Sequence, residues 1–125
     1  MSLRVTTSHV EQDIVVLHLW GSLTTGPETN ALESLLSDLL DQQTRKLVFD
    51  LSGVDEIESD GTVFLVRCYF RVRSAGGRLR FAGASELVIR PFHTAMLDSL
   101  LPFDPTVAVA CERFVARANG GSHPT

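Results

Sequence analysis

The sequence predicts an α/β domain built on a central, mixed and mostly parallel sheet of four to five strands with helices packed on it. Three observations lead there. Short runs of β-branched and aromatic residues alternate with longer runs of helical spacing, the pattern of βαβ units joined by right-handed crossovers. Between residues 31 and 40 the apolar positions are Ala31, Leu32, Leu35, Leu36, Leu39 and Leu40, one stripe of an amphipathic helix. The chain has 125 residues and is 44% hydrophobic, which suits one domain with a substantial core. Residues 1–118 are expected to form that domain, with residues 119–125 as a disordered tail.

The element order reads β-β-α-β-α-β-α-β-α. Residues 3–7 form a first strand, and residues 10–13 a polar turn. Residues 14–20 (IVVLHLW) form a second strand, with His18 as its one polar interruption and Gly21 as its end. Thr25 or Gly26 caps the helix at 28–42, and Pro27 suits its first position. Glu33, Ser34, Asp38 and Asp41 lie on its wet side. Residues 47–51 (LVFDL) form a buried strand, and residues 52–58 a polar loop with Val54 and Ile57 as inward anchors. Residues 59–62 open a helix that runs to residue 75. It is apolar nearly all round, so more than one neighbour covers it. Gly76-Gly77 stops that helix, and the alternation of residues 78–82 marks a strand with one open face. Ser85 is an N-cap, with Glu86 in the first turn. The pattern of Leu87, Val88, Phe92, Met96, Leu97 and Leu100 continues helically, with a kink or split at Pro91. Residues 106–109 read as a short strand and residues 110–118 as a last helix.

Charge and motif content exclude several functions. The formal net charge of −4 argues against non-specific binding to nucleic acid or to an anionic membrane surface. The longest apolar runs are too short to span a membrane, and the N-terminal residues lack the pattern of a signal peptide, so a soluble cytoplasmic protein is expected. Cys68 and Cys111 form no CxxC pair and read as small core residues. His9, His18, His93 and His123 are scattered, with no HExxH, so no metal is expected. There is no G-x-G-x-x-G, no Walker loop and no nucleophile elbow, so neither a cofactor nor catalysis is expected. Asp55, Glu56, Glu58 and Asp60 read as a solvated acidic loop.

One junction stands out, where a strand ends in Asp50-Leu51-Ser52-Gly53 and a helix opens at Ser59-Asp60-Gly61. The first turn of a helix presents unpaired N–H groups and a partial positive charge. Ser59 or Asp60 either caps that turn or makes it an anion switch that governs docking of a partner.

Gly21-Ser22-Leu23, the run from Leu47 to Val54, Glu58-Ser59-Asp60-Gly61 and Gly76-Gly77-Arg78-Leu79 occur in an order and spacing that resembles the STAS domain. The closer resemblance is to its single-domain form, the anti-sigma factor antagonist, over residues 3–117. That resemblance implies a STAS-like fold and a protein partner, an anti-sigma factor that is also a serine/threonine kinase. In the family this kinase phosphorylates the second serine or threonine of the motif, which breaks binding, and a phosphatase restores it. The phosphorylated position falls on Asp60, which has no hydroxyl. The acidic first position of the motif is Glu58, and the acidic end of the Gly-Glu-Leu-Asp turn is Thr24. Asp60 is therefore read either as an imperfect phosphate mimic or as a simple helix cap, with Ser59 or Thr62 as alternative acceptors. The resemblance places the partner-binding surface at Thr24, Glu58, Ser59, Asp60, Gly61, Thr62 and Phe64. Two other readings stay open: a STAS subunit of a lipid-transport or stress-signalling complex, and a small-ligand binder, for which the sequence shows no convergent polar residues. Self-association through Trp20, Phe92 and Phe103 also stays open. The match is weakest over residues 91–105, where Pro91, Pro102 and Pro105 interrupt the pattern and Leu100-Leu101 replaces a glycine-containing turn.

Overall fold

The computed structural model of the protein describes residues 3–11 and 13–121, with the backbone alone for residues 115–121. It contains five strands, β1 (Arg4–Val10), β2 (Ile14–Leu23), β3 (Lys46–Ile57), β4 (Arg78–Ala82) and β5 (Phe103–Asp104). The helices are α1 (Pro27–Asp41), α2 (Ser59–Ser74), α3 (Glu86–Thr94) and α4 (Val107–Gly121). The element order is the one the sequence predicts. The sheet order is β1-β2-β3-β4-β5, antiparallel between β1 and β2 and parallel thereafter.

This topology decides where the helices lie. Each parallel crossover steps in the same direction across the sheet. Right-handed crossovers that step one way must leave their helices on one face. α1, α2 and α3 accordingly share the larger core, in which Leu17, Leu36, Phe49, Phe64, Phe81 and Phe92 are fully buried. α4 follows the last strand and covers the other face through Ala110 and Phe114, which pack on Ile14, Val16, Val48 and Ala82. A single helix cannot cover five strands. The rest of that face stays open, and there Trp20 is 41% exposed.

The open region explains the polar interruption in β2. His18 Nδ1 lies 2.7 Å from Asp50 Oδ2 on β3, and His18 Nε2 lies 3.0 Å from Ser8 Oγ on β1. Ser52 donates its hydroxyl and its backbone N–H to Asp50 Oδ1. The Trp20 ring stacks on His18.

Several boundaries differ from the sequence reading, each for a local reason. β1 extends to Val10, because Val10 pairs with Ile14 across a tight hairpin. Gly21 does not end β2. It takes φ 97°, a left-handed value, and the strand runs on through a bulge to Leu23. The expected loop at 52–58 is mostly strand, since Gly53, Val54, Glu56 and Ile57 pair with Trp20, Gly21, Ser22 and Leu23. Only glycine fits at 53: a Cβ there would lie 2.1 Å from Trp20 Cδ1 and 2.8 Å from the Leu19 carbonyl.

α3 passes through Pro91 without splitting and ends at Thr94, with Met96 in the left-handed region. The expected strand at 106–109 is the start of α4, where Thr106 Oγ1 accepts the Val109 N–H. The strand lies earlier, at Phe103–Asp104. α4 continues to Gly121, beyond the expected boundary at 118, and residues 122–125 of the expected tail lie outside the described residues.

Candidate functional site

The junction between β2, β3 and α2 is held by backbone contacts at Leu23. The Leu23 carbonyl accepts the Glu58 N–H at 3.3 Å. It also lies against Gly61, where a Cβ would approach to 2.0 Å. Gly61 is therefore a close-approach glycine that lets the first turn of α2 press on the end of β2. Beside it, Ser22 donates its hydroxyl to Glu56 Oε1 at 2.7 Å.

Asp60 lies in the first turn of α2, and the residue at the N-cap is Glu58, whose side chain makes no capping bond. The direct hydrogen bonds of Asp60 run to another element. Its Oδ2 accepts the Thr25 hydroxyl at 2.6 Å and the Thr25 backbone N–H at 3.1 Å. The carboxylate thus ties the segment before α1 to the start of α2. The Thr25 hydroxyl, then the Thr25 N–H, hold the carboxyl below the usual aspartate range, with smaller help from the Gly61 and Asp60 N–H groups. The anion is stabilised where the helix dipole favours one.

The structure separates the expected surface residues into two groups. Glu58, Ser59 and Asp60 are exposed, and Thr24 is half-buried beside them. Gly61, Thr62 and Phe64 are buried. The Thr62 hydroxyl turns back to the Glu58 carbonyl at 3.4 Å. Phe64 is fully buried in the main core, so it supports the site from beneath and is not a surface contact. The outward helical position near it is Val63, 59% exposed. Ile57, Glu58, Ser59 and Asp60 border a shallow groove whose opposite wall is Pro91 of α3. Leu87, one turn earlier on α3, is also exposed.

Two residues of this site escaped the sequence reading. Thr25 was visible only as a cap candidate, and Pro91 only as a helix breaker. The partner of Asp60 is 35 residues distant, and no local spacing signals such a pair. Of the aromatic residues considered for self-association, Phe92 is buried and Phe103 is half-buried against Phe81 and Phe92, which leaves Trp20 exposed. Among the described residues no three His, Cys, Asp or Glu side chains converge as a metal site, and no helix is long and apolar enough to cross a membrane.

The STAS domain family model matches residues 6–110, and the chain belongs to that family. Solved structures share the fold. A putative anti-sigma factor antagonist from Thermotoga maritima matches with a TM-score of 0.77 and 23% identity, over 87% of this chain and 92% of that one. The anti-sigma factor antagonist SpoIIAA in its unphosphorylated form matches with a TM-score of 0.76 and 18% identity, over 90% and 97%. A serine-to-glutamate variant of RsbS from Moorella thermoacetica matches with a TM-score of 0.79 and 18% identity, over 93% and 98%. No curated protein sequence matches the chain significantly.

Proposed function

We propose that this chain is a docking module of an anti-sigma factor antagonist type, with no catalytic role of its own. Its partner is an anti-sigma factor that is also a serine/threonine kinase, and the docking surface is the exposed start of α2 with the groove up to Pro91. The carrying observation is the Asp60 carboxylate, held on the first turn of α2 by Thr25. A similar fold is known for an antagonist in phosphorylated and unphosphorylated forms, which supports reading this face as charge-sensitive. In this chain the position that corresponds to the phosphorylated residue carries a fixed carboxylate.

A phosphoserine carries about −1.5 to −2 charges and three acceptor oxygens. Asp60 carries less charge on a shorter arm, and Thr25 already engages it. It imitates the modified state partially, and the module is set toward weak binding without responding to the kinase. The test compares wild type with Asp60→Ser for binding to an anti-sigma factor kinase from the same organism. The serine variant is expected to bind more tightly and to lose that gain when phosphorylated. Equal, tight binding by both proteins would overturn the mimic. Label incorporated by wild type at Ser59 or Thr62 would overturn the insensitivity.

A further inference from the structure

A second cleft lies at the opposite end of α2 from Asp60. It is about 350 Å³ in volume, within the usual range for small-molecule sites. The last turns of α2, the start of β4 and the turn before β5 enclose it. Three arginines line it, Arg73, Arg78 and Arg80, and no acidic residue does.

Two of the three guanidinium groups are engaged elsewhere: that of Arg78 lies 5.4 Å from the Phe114 ring, and that of Arg80 pairs with Asp104. Asp104 is buried and accepts Arg80 in a fork, through Nε at 2.6 Å and Nη2 at 3.1 Å. Arg113 Nε also lies 2.7 Å from Asp104 Oδ1. One carboxylate therefore answers two guanidinium groups. Arg73 has no carboxylate within ion-pair distance among the described residues, and its Nη1 donates to the Tyr69 hydroxyl at 3.2 Å. This contact helps fix the guanidinium at the rim.

The sheet edge contributes as well. The Arg78 N–H donates toward β3, to the Arg45 carbonyl, whereas the N–H groups of Phe81 and Gly83 donate toward β5. Strand alternation then aims the Leu79 N–H toward β5. β5 pairs only with Phe81 and Ala82, so it has not yet begun opposite Leu79. The Leu79 N–H faces the cleft. The other wall is apolar, made by Leu100, Leu101 and Pro102. Leu100 is 42% exposed at this rim.

We infer that this cleft binds a small organic anion, with its phosphate or carboxylate head on Arg73 and the Leu79 N–H and its apolar body against the 100–102 wall. A guanidinium fork suits both head groups, since each offers paired oxygens. The site is separate from the docking surface, so either reading can fail without the other.

The test is an amide-resolved NMR titration of the whole chain with phenyl phosphate, benzoate and uncharged benzyl alcohol. Phenyl phosphate or benzoate is expected to give saturable shifts confined to residues 69–80 and 99–102, and benzyl alcohol none. Whichever anion binds more tightly identifies the head group. Arg73→Glu, at an exposed position, is expected to weaken binding about tenfold or more, and Arg73→Gln by less. The inference is overturned if neither anion saturates at millimolar concentration, if benzyl alcohol binds equally, if the shifts fall elsewhere, or if both variants bind as wild type does with an otherwise unchanged spectrum.

Discussion

A single hydroxyl does most to lower the pKa of the carboxylate at the start of α2. Thr25 makes the shortest hydrogen bond to Asp60, and Asp60 titrates below its usual range because of it. A depressed aspartate contributes stability at pH values above its unfolded-state pKa, and that contribution is lost as the pH falls through the folded-state pKa. Thr25→Val removes the hydroxyl and leaves the backbone N–H. The Asp60 pKa should then rise toward the ordinary value, as read by NMR titration of its carboxyl carbon. The stability difference between wild type and variant should be greatest near neutral pH and should close in acid. An unshifted Asp60 pKa would mean that the backbone donors alone hold the carboxylate. Asp50 shows a different balance. Burial pushes its carboxyl up, and the hydrogen bonds from Ser52 and His18 outweigh burial and bring it below the usual range. At Cys68 burial dominates, helped by the Glu33 charge and opposed by Arg67 and Arg71, and the thiol is pushed up to about 12. It is a core residue without thiolate chemistry at neutral pH.

At the scale of elements, the extension of β2 and β3 beyond their apolar runs builds the platform for the site. Without it the start of α2 would have no strand end to rest on. Gly53 permits the extension, because the Trp20 ring occupies the space where any side chain would go. Gly53→Val should cost about 1–3 kcal/mol, the usual range for overpacking, read by denaturant unfolding. Amide exchange should lose protection from Val54 to Ile57 first, while Leu47–Phe49 stays protected. The extension also shows why the sequence misled. Residues 52–58 are polar, glycine-containing and acidic, which reads as loop. Polar residues are tolerated in this strand because its outer end leaves the core. Local composition cannot report that. The short β5 hid for the opposite reason: two residues make no period, and the β-branched start of α4 is the more strand-like segment. By contrast β4 and the glycine stop before it were legible to the residue, because alternation and a left-handed turn are local signals.

For the molecule as a whole, the two faces of the sheet carry unequal cover. Three helices seal one side, and α4 alone seals part of the other, chiefly through Phe114, whose ring also lies 5.4 Å from the Arg78 guanidinium. Phe114→Ala should destabilise the fold by about 3–5 kcal/mol, the range for large-to-small changes at buried aromatic sites, measured by chemical denaturation. If α4 is instead a weakly coupled appendage, the loss will be well under that range and the rest of the spectrum will stay unchanged. The fold class and the place of the helix start were readable because periodicity and capping act over a few residues. The arginine cleft and the Thr25–Asp60 tie were not, because the residues of each meet only after the crossovers close.

The strands follow one another across the sheet in the order in which they occur along the chain. Each strand therefore finds its neighbour after closing one hairpin or one crossover, and no strand waits for a distant segment to arrive. Loop-closure entropy is met in small steps, which keeps contact order low for a parallel sheet and favours fast folding. A chain emerging from the ribosome can add one β-α unit at a time to a growing edge, with β1 and β2 as the seed. The last additions, β5 and α4, close the edge beside the cleft, so that end of the molecule is the final part to be completed.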